Sequence, residues 1–169
     1  IALAAAGAPS VRASEEEVPP ASGDPRLEVR EVLDAETLAF SPDGQYLATA
    51  MAELKVWDAE RGNELFTSTG FAAIVRGIGF SPNGAQLATG SQDGTVTIWD
   101  AQTGRRLFGL AGHAGAINDV SFSPKCVTPP DSPFGWCGMW LASVSRDGMA
   151  KLWNVSPGGS RELITLPGF

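Results

Sequence analysis

Short runs in which apolar and polar residues alternate make up most of the chain after residue 34. Alternation with a period of two, in runs of about five to seven residues, is typical of β-strands with one buried face. The Asp93-Gly94 pair separates two such runs and is a strong hairpin signal, because that turn needs positive φ. In this region the pattern predicts strands at Ile74–Phe80, Gln86–Ser91, Thr95–Asp100 and Arg105–Leu110. The chain is therefore predicted to be all-β.

Three segments of the chain repeat one order of motifs. Each has a Phe-Ser-Pro turn, then Leu-Ala-Thr or Leu-Ala-Ser, then an aliphatic residue followed by Trp57, Trp99 or Trp153. The first two tryptophans are 42 residues apart and the next two are 54 apart, which is 42 plus a 12-residue insertion. Four antiparallel strands in about 42 residues make one β-propeller blade. The sequence thus predicts three four-stranded blades of an incomplete ring, since closed propellers have about four to eight blades.

The repeats divide the chain into four predicted regions. Residues 1–24 form an apolar run and an acidic, proline-containing linker, and residues 25–70 form the first blade, with a possible outer strand at 25–30. Residues 71–112 form the second blade. Residues 113–169 form the third blade, with an insertion at 126–138.

The sequence of these repeats resembles the WD-repeat β-propeller family, in a form that looks bacterial. The resemblance covers about residues 34–169 and includes the Trp-Asp dipeptide, Gly112-His113, and Ser-x-Asp-Gly before the tryptophan strand. It implies that each blade is held by hydrogen bonds among a His, a Ser or Thr, an Asp and a Trp. The third repeat has all four at those positions: His113, Ser143, Asp147 and Trp153.

The resemblance is less complete in the other two repeats. The second has Thr89, Asp93 and Trp99, with Phe71 at the histidine position. The first has only Thr49 and Trp57, and Glu31 falls at the histidine position. Because buried polar groups are costly unless they satisfy one another, we expect the stability of the blades to decrease from third to second to first.

The end of the chain aligns with the start of a repeat. Pro167-Gly168-Phe169 corresponds to Ala111-Gly112-His113, and the chain starts with Ile1 rather than Met. We therefore expect a fragment whose remaining blades lie in the same longer chain. The alternative is a chain that completes its ring by oligomerisation.

Charge and composition restrict the partners. The chain has 12 Lys plus Arg against 19 Asp plus Glu, a net charge of −7, and no basic cluster. Nucleic-acid binding relies on such clusters, so we expect a protein or peptide partner and no nucleic acid. We expect no membrane contact by the blades and no cofactor.

The N-terminus leaves the localisation open. Ile1–Ala8 is apolar, and Val11-Arg12-Ala13 resembles a signal-peptidase site, so a truncated signal peptide is one interpretation. The tail of a membrane anchor or an interdomain linker is another. An extracytoplasmic location is slightly favoured, with the cytoplasm as the alternative.

The insertion contains both cysteines, Cys126 and Cys137. A disulfide would stabilise this loop by about 2–3 kcal/mol and would require an oxidising compartment; an unbonded pair is the alternative. Phe134, Trp136 and Trp140 lie in or beside the insertion and form either a recognition patch or a cover for the blade edge. On the opposite face, the resemblance places Phe71, Gln92 and Arg146 as further possible partner contacts.

Catalysis and metal binding have weaker support. His113, Ser143 and Asp147 could form a hydrolytic triad, but the structural role explains their spacing and no Gly-x-Ser-x-Gly motif is present. Two cysteines and one histidine do not supply the usual four zinc ligands. No catalytic, cofactor or metal residue is therefore predicted.

The predicted function is a non-catalytic scaffold for protein interactions. A sensor or regulatory module of a multidomain bacterial signalling protein is the first alternative. A propeller enzyme with a site in its central channel is the second. Ala, Gly, Ser and Thr at most positions near the expected axis disfavour the enzyme.

Overall fold

The computed structural model describes residues 35–124, 139–156 and 159–168, and every regular element in these ranges is a β-strand. The first sheet contains β1 (Thr37–Phe40), β2 (Tyr46–Ala50), β3 (Leu54–Asp58) and β4 (Glu64–Ser68). The second contains β5 (Val75–Phe80), β6 (Gln86–Ser91), β7 (Val96–Asp100) and β8 (Arg106–Leu110). The third contains β9 (Ile117–Phe122), β10 (Met139–Ser145), β11 (Met149–Ser156) and β12 (Gly159–Pro167).

Each sheet follows chain order, with antiparallel pairing between successive strands. The third sheet repeats the arrangement of the other two. The all-β fold of three four-stranded blades in an unclosed arrangement is thereby confirmed. In the second sheet β6 has the predicted bounds, and the other three strands begin one residue later than predicted.

Some predicted regions fall on residues that the structure does not describe. These are the N-terminal region 1–24, the outer strand at 25–30 and the insertion at 126–138. The four proposed region boundaries therefore stay predictions. Within the described ranges, no helix has the length and apolar character needed to cross a bilayer.

The first turn of each of the first two sheets shows how a repeated motif fixes local structure. The Ser41 hydroxyl donates to Asp43 Oδ1 at 2.6 Å, and that oxygen accepts the backbone N–H of Gln45 at 3.0 Å. Ser81 and Asn83 make the same contact at 2.8 Å in the second sheet. An Asp or Asn side chain that bonds nearby backbone is a common turn device, so the Ser-Pro-Asp/Asn-Gly motif closes each hairpin.

The sheets pack face to face through two apolar layers. Between the first and second sheets the buried residues are Ala48, Ala50, Leu54, Val56, Val75, Ile78, Phe80, Leu87, Trp99 and Ala101. Between the second and third they are Ala88, Val96, Ile98, Leu110, Ile117, Val120, Phe122, Met139, Leu141, Trp153 and Val155. Alternation along each strand supplies one set of side chains to each layer.

Glycine lets the innermost strands of the second and third sheets approach closely. A Cβ at Gly77 would lie 2.7 Å from Asp119 Cα and 2.7 Å from Val120 N. A Cβ at Gly90 would overlap the Ile117 side chain. These two glycines therefore set the spacing between β5, β6 and β9, where the repeats converge.

A β-bulge recurs between the third and fourth strands of every sheet. The register shifts at Val56/Trp57, at Ile98/Trp99 and at Leu152/Trp153. Bulges redirect a side chain and increase local twist. The alternating pattern did not predict them, although each lies immediately before the repeated tryptophan.

Candidate functional site: the tryptophan-anchored hydrogen-bond sets and the adjoining loops

Four side chains of the third sheet meet in one hydrogen-bonded chain. Trp153, on β11, donates its indole Nε1–H to Ser143 Oγ on β10 at 2.8 Å. Ser143 Oγ is also 2.8 Å from His113 Nε2, and His113 Nδ1 is 2.8 Å from Asp147 Oδ2. His113 precedes β9 and Asp147 lies in the turn between β10 and β11, so the chain of bonds ties a loop, a turn and two strands together.

The roles of the His113 nitrogens follow from their partners. An ionised carboxylate only accepts hydrogen bonds, so the ring donates Nδ1–H to Asp147. In the neutral ring Nε2 then accepts the hydroxyl proton of Ser143, whose oxygen in turn accepts the Trp153 N–H. Each polar atom in this chain of bonds is satisfied, as buried polar groups require.

Burial decides what this arrangement can do chemically. A Ser–His–Asp chain also occurs in hydrolases, where the serine oxygen must reach a substrate carbonyl. Here Ser143 is 1% exposed and the His113 side chain is 1% exposed. Because the oxygen is enclosed and already accepts the Trp153 N–H, the geometry favours a structural role.

Asp147 is held as a carboxylate by its surroundings. Burial alone would raise its pKa. The backbone N–H of Ala114, the His113 ring and the backbone N–H of Met149 all donate to its oxygens, and together they lower the pKa to about 2. The carboxylate therefore also fixes the loop that enters β9, through Ala114.

The second sheet keeps only part of this set. Trp99 donates to Thr89 Oγ1 at 2.9 Å. Phe71, at the position of His113, packs against the indole with 5.0 Å between ring centroids. Asp93 Oδ1 accepts the N–H and the hydroxyl of Thr95, at 2.9 and 2.6 Å. These bonds of Asp93 stay within its own turn, so the structure does not join Asp93 to Thr89 and Trp99.

The first sheet has the smallest set. Trp57 donates to Thr49 Oγ1 at 3.0 Å, and Lys55 Nζ lies 5.5 Å from the center of the Trp57 ring. Glu31, at the histidine position, lies outside the described residues. The hydroxyl–indole bond is thus the feature that all three sheets share.

One of the predicted contact residues is engaged within the chain. With its amide oxygen facing the guanidinium, Gln92 accepts from Arg76 Nε at 2.7 Å and from Arg76 Nη2 at 2.6 Å. Arg76 Nη1 is 3.8 Å from Glu36 Oε2, which joins the first sheet to the second. Sequence reasoning missed Arg76 and Glu36. The signal that could have found them is that Glu36 and Arg76 occupy the same repeat position, near the start of the first strand of neighbouring sheets, where opposite charges can pair.

The other predicted contact residues differ in accessibility. Arg146 is exposed in the turn after β10, with its backbone N–H bonded to Ala116 O at 2.8 Å. Phe71 is half-buried against Trp99, and Trp140 is half-buried on β10. Phe134, Trp136, Cys126 and Cys137 lie outside the described residues, so both the recognition patch and the disulfide stay predictions. Among described residues no group of three or more His, Cys, Asp or Glu could hold a metal ion.

Comparison with known families agrees with the repeat geometry. The sequence profile of "WD domain, G-beta repeat", the WD40 family, matches residues 62–100 and 104–154, which together exceed half of the chain. The chain belongs to the WD40 family. None of the curated proteins matches it.

Two solved structures share this fold. The crystal structure of the RRP9 WD40 repeats is similar with a TM-score of 0.69 and 24% identity, over 82% of this chain and 40% of that one. The structure of U3-55K is similar with a TM-score of 0.69 and 25% identity, over the same shares. The chain thus spans well under half the length of these two structures.

Proposed function

We propose that this WD40 chain is a non-catalytic scaffold that binds a protein or peptide through the loops joining its strands. WD40 propellers are typically interaction scaffolds, and the internal geometry supports the same role here. The observation that carries the proposal is the enclosure of Ser143. The polar atoms of Ser143, His113 and Asp147 are hydrogen-bonded within the chain. The exposed loop residues are therefore the groups that can contact a partner.

The charge distribution favours a protein over a nucleic acid as the partner. Four basic side chains are each paired with a carboxylate: Lys55 with Glu64, Arg61 with Asp58, Arg76 with Glu36 and Lys151 with Glu162. Phosphate recognition needs cations that are free to replace the counterions of the backbone. With a net charge of −7, the chain is better suited to a partner that presents neutral or basic groups.

The frame around the loops is suited to presenting them in fixed positions. Asp147 anchors both the loop after Gly112 and its own turn, and the Ser145 hydroxyl donates to Gly115 O at 2.9 Å. Glu36, Arg76 and Gln92 likewise hold the first two sheets together, through an ion pair and hydrogen bonds. A pre-ordered loop loses little entropy on binding, so binding needs no rearrangement of the blades.

A sensor module and a channel enzyme are the competing functions. One experiment tests for a binding partner, and the other tests the scaffold against the enzyme. Partners are captured on the immobilised chain, identified by mass spectrometry, and retested as purified proteins by calorimetry. We expect Arg146→Ala, which removes a large exposed side chain, to weaken that binding at least tenfold, with Arg61→Ala, on the opposite set of turns, as the matched control. Hydrolysis of ester or lactone substrates by the purified wild type would contradict the scaffold.

A further inference from the structure

We draw no further inference here: the strongest candidate, the cluster of loops at which Gly94 of the second sheet and the Arg146 turn of the third sheet both approach Gly115, belongs to the loop surface already proposed to contact a partner, and nothing in the structure shows what it binds.

Discussion

Phe71 packs on the indole of Trp99 with 5.0 Å between ring centroids, where the next sheet has His113 at 6.3 Å from Trp153. The imidazole of His113 is hydrogen-bonded on both sides, whereas the phenyl ring has only packing to offer. The equivalent position is thus stabilised by ring packing in the second sheet and by hydrogen bonds in the third. In the second sheet, the Trp99 indole N–H is accepted by the Thr89 hydroxyl.

Replacing Phe71 tests how much its packing contributes. Phe71→Ala should lower the free energy of unfolding by about 2 kcal/mol, below the range of about 3–5 kcal/mol for fully buried phenylalanines because Phe71 is half-buried. Phe71→His should lower it less, since an imidazole keeps part of the ring contact and can donate to Asp93. Urea denaturation followed by tryptophan fluorescence measures both. Equal losses in the two variants would show that ring packing is not the stabilising contact.

Removing the Ser143 hydroxyl should be more damaging than removing its counterpart in the first sheet. Ser143→Ala leaves both the Trp153 N–H and the His113 ring without their buried partner, which should lower the free energy of unfolding by about 3 kcal/mol. Thr49→Val is the matched control, because it leaves only the Trp57 N–H unpaired and should cost about half as much. Chemical denaturation of both variants gives the comparison. A smaller loss for Ser143→Ala than for Thr49→Val would contradict the network.

The carboxylate of Asp147 predicts a specific acid sensitivity. Its pKa is lowered from 3.8 to about 2 in the folded chain. The folded state therefore binds this proton more weakly than the unfolded state does, and the resulting stability is present above pH 3.8 and lost as the pH falls toward 2. The stability difference between wild type and Asp147→Asn should be constant above this range and shrink within it. Denaturation curves collected across the acid range check this expectation, and a difference that grows as the pH falls would refute it.

The close approach of β5 and β9 predicts that alanine substitution lowers the stability at Gly77 but not at Gly79. Gly77→Ala places a methyl group 2.7 Å from Asp119 Cα, so the inner strands must separate at a cost of about 2–3 kcal/mol. Gly79→Ala is the control on the same strand, because its nearest atom would be Val120 O at an ordinary 3.6 Å. Thermal unfolding should show a clear loss only for Gly77→Ala. A comparable loss for Gly79→Ala would show that the close approach of Gly77 to Asp119 is not the cause.

The strands and their order were predictable because the signals are local. Alternation and the Asp-Gly and Pro-Asn-Gly turns depend on residues that are neighbours in sequence, and they placed β6 at its observed bounds. The bulge before each tryptophan was not predictable. Alternation specifies which side a residue faces, whereas an extra residue in one strand depends on its partner strand.

The hydrogen-bond sets could be only partly anticipated. The spacing of His113, Ser143, Asp147 and Trp153 matched a family pattern, and the structure joins all four. The ion pair of Arg76 with Glu36 joins residues 40 positions apart in different sheets, which the alternation of one strand does not encode. The separation of Asp93 from Trp99 likewise follows from the loss of a bridging imidazole at Phe71.

Amide hydrogen exchange should distinguish the stability of the three sheets. The hydrogen-bond sets alone predict the strongest protection in the third sheet, since they join four side chains there and two in each of the other sheets. Packing predicts another order, because among the described residues only the second sheet has both faces covered. Exposure of about 60% at Leu38 and Phe40, against 9% or less at their counterparts, is the larger effect in a single chain.

We therefore expect the amides of the second sheet to exchange most slowly in this chain, because the exposed apolar side chains leave the first and third sheets with less packing. Exchange resolved by mass spectrometry of peptides from β2, β6 and β10 compares the three sheets. If the third sheet exchanges most slowly instead, its His113 network rather than packing sets the order.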